Sequence, residues 1–131
     1  MSAAPGKAAR GFVASGALVL AAGVALGAVA SHAAGRAPHP DAARLLQTAV
    51  DYQLVHGVGL VLVGVLARFA STRWLVLAGA SFLLGIAFFC GSLCWLAFTG
   101  RSAGPVAPLG GMLFIVGWVL VAVHALARER R

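Results

Sequence analysis

Three stretches of this chain, Gly11 to Gly35, Trp74 to Gly100 and Ser102 to Ala127, contain no Asp, Glu, Lys or Arg. A hydrocarbon layer about 30 Å thick is crossed by roughly 20 helical residues, so each stretch is long enough to span a bilayer. A fourth, Tyr52 to Ala67, is charge-free over a shorter length and spans only if its helix begins upstream, near Leu45. The pattern predicts an all-α integral membrane protein, a four-transmembrane-helix antiparallel bundle. Its helices fall at about 11–34, 45–68, 74–98 and 109–127, in a single domain covering residues 1–131.

Composition agrees. The residues AVILMFWYC make up 61% of the chain and charged residues 10%, where a soluble domain carries about 25% charged; the mean hydropathy is +0.96.

The net charge of +7 raises the question of nucleic acid, whose binding domains gather Lys and Arg on one face. Here the basic residues sit at the ends of the apolar runs. Lys7, Arg10, Arg68, Arg73, Arg128, Arg130 and Arg131 flank the two termini and the middle turn, against Arg36, Arg44 and Arg101 in the other two connections. The positive-inside bias accounts for this distribution without nucleic acid, and it puts both termini and the middle turn in the cytoplasm. An even number of spans requires both termini on one side, which agrees with the charges.

A secretory signal competes for the first segment, because "AVAS" at Ala28 to Ser31 resembles a small-residue cleavage site. Cleavage would leave three helices and a new N-terminus outside. The apolar run from Phe12 to Ala30 is 19 residues, longer than the roughly 7–15 of a signal h-region, and favours a retained span.

The connections are short. "GRAPHPDAAR" turns on Pro38 and Pro40, with Asp41 placed to cap the next helix, and "TGRSAGPVAP" ends the third helix at Gly100. The fourth helix is expected to start after Pro108. The turn "RFASTRW" makes the second and third helices antiparallel neighbours.

Small residues recur at helical intervals. Gly16, Gly23 and Gly27 share a face of helix one, the last two as G-x-x-x-G; Ser81, Gly85, Ser92 and Thr99 line helix three, and Gly110, Gly117 and His124 line helix four. Lipid does not drive helices together by the hydrophobic effect, so close approach over small residues supplies packing, and these stripes are read as seams. Glycine is also common in membrane helices for no such reason.

The entry of helix two, "TAVDYQLVHGVGL", carries the chemistry. Asp51 and Tyr52 fall at the outer interface; Gln53 and His56 lie deeper, His56 about 12 Å in. Spacings of three and four residues put Tyr52, Gln53 and His56 on one broad inward face. Helix one ends on the same side and brings His32 to that polar cluster.

Four segments in order, "GAVASHAAG", "LLQTAVDYQLVHGVGL", "GIAFFCGSLCWLAFTG" and "APLGGMLFIVGWVLVA", resemble the small membrane proteins grouped as domain of unknown function 423, which include the vertebrate transmembrane protein 256. The resemblance covers nearly the whole chain. It implies four transmembrane helices and, in a bacterial host, the inner membrane; it implies no activity.

Three functional readings stand at this point. In the first the protein is a structural, assembly or accessory subunit, with Gln53, His56, Ser92 and Thr99 bonding between helices. In the second, His32, Asp51 and His56 line a pathway for a small solute or proton, since intramembrane ionisable groups mark such paths. In the third, His56, Cys90 and Cys94 hold a soft metal or a redox centre, against the ordinary use of free Cys as a small buried residue. No carboxylate pair, nucleophile elbow or phosphate loop points to an enzyme, and the Gly-Gly of "APLGGM" is too short for a nucleotide motif. No cofactor is expected. The partners are the lipid bilayer and, left open, further copies of the chain or a membrane partner subunit.

Overall fold

Four long helices run in alternating directions in the computed structural model, which describes residues 6–128; Arg130 and Arg131 lie outside them. Helix α1 is Lys7–Ala33, α2 is Ala42–Phe69, α3 is Arg73–Thr99 and α4 is Val106–Arg128, with a short 3-10 turn at Ala34–Arg36. All four are long and apolar enough to cross a membrane.

The helix ends depart from the sequence expectation for reasons of local chemistry. Asp41 occupies the N-cap position of α2 but makes no side-chain cap. Its carboxylate instead accepts from the Arg44 guanidinium at 3.2 Å, and α2 starts at Ala42, earlier than 45. Helix α4 starts at Val106, ahead of Pro108. A proline in the first turn has no intrahelical N–H bond to lose and its fixed φ suits the helix, so Pro108 sits inside α4 and does not precede it. Likewise α1 starts at Lys7, before 11, which carries Lys7 and Arg10 on its first turns. Gly100 ends α3 in the left-handed region, φ 69°, where its N–H bonds to Leu96 O at 2.9 Å. A side chain there would be strained, and this is the common glycine stop of a helix.

The two central helices are α2 and α3. In their most apolar stretches 44% of residues are buried, against 11% for α1 and 17% for α4, so α1 and α4 flank the central pair. Along α2 lies α1, and along α3 lies α4. Between α2 and α3 sit Leu60, Val63, Leu75, Ala78 and Phe82, all buried. The outward faces, with Leu18, Val24, Met112, Ile115 and Val119, remain apolar and exposed, as the lipid-facing surface of a spanning helix must be.

Helix α3 is not regular. Between Arg73–Gly85 and Gly91–Thr99 it passes through a π-helical turn, Ile86–Cys90. Such a turn widens the helix by one residue and shifts the register of the turns beyond it. This one lies against α4 where Gly110 meets the backbone of Phe89.

Candidate functional site

The residues at the entry of α2 separate into two faces. Tyr52, Gln53 and His56 do not converge. Successive helical residues lie about 100° apart, so Tyr52 and Gln53 diverge by that angle with His56 between them, and the packing assigns each to a side. Gln53 Nε2 donates to Val19 O of α1 at 3.0 Å. Tyr52 and His56 face the other way, toward α3 and α4.

His56 is 4% exposed and closed in by rings. Its imidazole stacks on Phe114 at 3.5 Å between centroids and 12° between planes, with Phe82 at 5.5 Å, Tyr52 at 5.9 Å and Trp118 at 6.1 Å. Nδ1 lies 2.7 Å from Tyr52 O one turn back. A carbonyl oxygen only accepts, so Nδ1 carries the proton and donates, which fixes the tautomer of the neutral ring. The position is deeper than the sequence suggested. Because α2 has 28 residues from Ala42 to Phe69, His56 stands roughly 21 Å from its start and roughly 18 Å from Arg68, near the middle of the span.

Asp51 is exposed on the same helix and accepts from Gln47 Nε2 at 2.7 Å. A cleft of about 190 Å³ is lined by Asp51, Tyr52, Val55 and His56. His32 does not join it. The histidine is exposed at the end of α1 and lines a separate cleft with Ala28, Val29 and Arg36, so the expected cluster of His32 with Asp51 and His56 is corrected to Asp51, Tyr52 and His56 alone.

Most membrane hydroxyls turn back into their own helices. Ser92 bonds to Phe88 O, Thr99 to Trp95 O at 2.6 Å and Ser31 to Gly27 O at 3.0 Å. A hydroxyl in lipid needs an acceptor, and the carbonyl four residues back is always within reach. The expectation that Ser92, Thr99 and His56 bond between helices is therefore corrected: each bonds to a carbonyl of its own helix. Gln53 to Val19 crosses between α2 and α1, and Thr72 Oγ1 meets His124 Nδ1 at 2.9 Å between the start of α3 and the end of α4.

The glycines fall into two kinds of contact. A methyl group at Gly16 would lie 2.9 Å from Gly57 O and from Val61 N, and one at Gly64 would lie 2.8 Å from Ala9 O and from Val13 N. Here the backbones of α1 and α2 approach each other directly. Gly57 and Gly64, in "HGVGLVLVG", lie outside the stripes expected from the sequence, although their spacing of seven residues is a helical repeat. Gly23 faces the flexible end of Leu54, and Gly27 has only Val50 at 3.7 Å. The G-x-x-x-G pair is thus not the tight point of this seam; a methyl at Gly27 meets ordinary van der Waals contact.

Between α3 and α4 the glycines make room for rings. Positions Gly85 and Gly117 admit Phe114 and Phe82, whose ring atoms lie 2.6 Å and 2.5 Å from where their side chains would start. Gly110 abuts the backbone of Phe89, and Gly79 receives Phe12 from α1. Phe82, Phe114 and Trp118, which enclose His56, carry no signal in the sequence beyond being apolar.

Cys90 is buried and Cys94 half-buried, both as free thiols. Among the described residues no three His, Cys, Asp or Glu side chains come together as a metal-binding group, so the set His56, Cys90 and Cys94 does not assemble. The two thiols instead pack in the apolar core.

Known proteins share this architecture's sequence. The chain is 36% identical over 115 residues to the UPF0382 membrane protein SH2409 of Staphylococcus haemolyticus, covering 86% of this chain and 92% of the relative. It is 34% identical over 118 residues to the UPF0382 membrane protein YwdK of Bacillus subtilis, covering 88% and 95%. To the UPF0382 inner membrane protein YgdD of Escherichia coli it is 30% identical over 109 residues, covering 82% and 83%. No solved structure matches significantly. The family model described as "Protein of unknown function (DUF423)" matches residues 26–111, from the second half of α1 to the first turns of α4. With that match and those relatives, the chain belongs to the DUF423 family of membrane proteins, for which no specific function is established.

Proposed function

We propose that the protein is a non-catalytic assembly or accessory module of the inner membrane, with both termini cytoplasmic, that works by presenting its outer helix faces to lipid and to a membrane partner or further copies of itself. The observation that carries this reading is the enclosure of His56. This histidine, near the middle of its helix, is surrounded by the rings of Tyr52, Phe82, Phe114 and Trp118 and bonded through Nδ1 to its own helix, the arrangement of a packing residue.

The cleft that reaches His56 past Asp51 supports the second reading, a path for a proton or small solute. Substitution separates the two. If His56 packs, His56→Gln keeps most of the stability and all the physiological output of a complemented deletion strain, while His56→Leu loses on the order of 1 kcal/mol, the scale of one polar contact in a membrane bundle. A folded but silent His56→Gln protein would end the assembly reading for this residue, since glutamine does not titrate. The orientation rests on seven basic residues at one end against three at the other. With Cys90 and Cys94 replaced, a cysteine at Ser102 should react with an impermeant reagent in intact cells; reaction only after permeabilisation reverses the topology.

A further inference from the structure

At the end of the molecule opposite Asp51, a cleft of about 750 Å³ opens between the α2–α3 turn and the last turns of α4, lined by Ser71, Thr72, Arg73, Trp74 and His124. Its chemistry is cationic. The Arg73 guanidinium lies 4.7 Å over the Trp74 ring, a stacking that holds the plane and leaves its N–H edges to bond an anion.

No carboxylate among the described residues competes for Arg73. Asp41 and Asp51 are at the far end, and the ion pair of the described residues is Arg44 with Asp41. Thr72 stands at the N-cap of α3 and makes no side-chain cap; its hydroxyl bonds with His124 across the cleft. The first-turn N–H groups of α3 are left without a side-chain cap along the same wall. Trp74, one residue into α3, marks the headgroup level, where tryptophan is favoured.

We propose that this cleft binds a phosphate-bearing group between the Arg73 guanidinium and the Ser71–Thr72 wall, supplied by an anionic lipid headgroup or by a soluble phosphate. Basic recesses between helices at the headgroup level hold lipid phosphates by this chemistry. A headgroup site serves a transporter as well as an assembly module, so the cleft's role stands apart from the assembly reading.

Native mass spectrometry of the full chain in mild detergent, titrated with phosphatidylglycerol or phosphatidylcholine, provides the test, with R73Q and R73K in the cleft and R10Q outside it. Arg10 is exposed at the same end on α1, so R10Q removes the same charge. One phosphatidylglycerol per chain should bind saturably, with R73Q weakening it about tenfold, R73K falling between and R10Q changing it less than about twofold; tenfold corresponds to ~1.4 kcal/mol. Inorganic phosphate alone raising the melting temperature of the wild type and R10Q but not R73Q, without saturable lipid binding, would assign the site to a soluble phosphate. Equal weakening by R73Q and R10Q, or no Arg73-dependent response to either probe, overturns the proposal. Because R73K retains the charge and the fold, its intermediate affinity keeps the result readable if R73Q is unstable.

Discussion

The two flanking pairs of this bundle solve the same problem in opposite ways. In the α1–α2 pair glycine removes the side chain so that one backbone can touch another, as Gly16 does at Gly57 O and Gly64 does at Ala9 O. In the α3–α4 pair it mainly removes the side chain so that a ring can enter, as Phe114 does at Gly85 and Phe82 at Gly117, although Gly110 meets the backbone of Phe89. Neither pair can rely on water to drive it together, so both depend on the number of well-placed van der Waals contacts. The backbone seam gains them by distance and the ring seam by shape. At Gly117 the atoms in the way belong to a side chain that can be exchanged, whereas at Gly16 and Gly64 backbone atoms remain whatever side chain is changed.

Among substitutions at Gly64, Gly117 and Gly27, the largest effect should come from Gly64 in the α1–α2 seam. Gly64→Ala puts a methyl 2.8 Å from Ala9 O and Val13 N and 2.6 Å from Val13 Cγ2. Overpacking of this kind costs about 1–3 kcal/mol, read as a lower unfolding midpoint in mixed detergent. Adding Val13→Ala removes the Cγ2 contact but leaves both backbone atoms, so it should recover little. Full rescue by Val13→Ala would mean that the helices are held apart by side chains there, and the contrast between the seams would fail.

Gly117→Ala should destabilise less, and reparably. The atoms in its way belong to Phe82, whose ring is fully buried between Trp118 at 4.9 Å and His56 at 5.5 Å. Phe82→Leu shortens that side chain and should restore much of the loss when combined with Gly117→Ala, although each change alone is destabilising. A double variant as unstable as the sum of the singles would indicate that α4 approaches α3 through its backbone at this level too. The coupling is measurable as the non-additive part of a double-mutant cycle.

The spans were legible in the sequence because the bilayer tolerates so few patterns. Charge-free runs such as Trp74 to Gly100 and Ser102 to Ala127 have one reading at that length. Helix ends were less legible where a residue has two uses. Asp41 can cap or pair, and it pairs with Arg44; Pro108 can precede a helix or open it, and it opens α4.

The site was legible as residue types but not as partners. Tyr52, Gln53 and His56 span about 100° of helix, and sequence spacing alone does not show that α1 claims Gln53 while the rings of α3 and α4 claim the other two. The π-helical turn at Ile86–Cys90 left no trace in "GIAFFCG"; it lies where α3 meets α4 at Gly110, a contact that no local pattern of residues records.

The smallest effect should have the opposite sign. Gly23 and Gly27 form the motif that most resembles a helix-contact signature, yet a methyl at Gly27 would meet only Val50 Cγ1, at 3.7 Å, an ordinary contact that adds dispersion and displaces nothing. Replacing glycine by alanine inside a helix also removes backbone freedom from the unfolded chain, which is worth up to about 1 kcal/mol in favour of the helix. Gly27→Ala should therefore leave the unfolding midpoint unchanged or raise it slightly, in the same seam in which Gly64→Ala lowers it. The opposition is one of geometry: at Gly64 the partner is a carbonyl and an amide that cannot move without moving α1, and at Gly27 it is the end of a valine. A clear loss of stability in Gly27→Ala would show that α1 and α2 stay in backbone contact along their whole length, and the tight region would then extend beyond the Gly16 and Gly64 contacts to the far end of the pair.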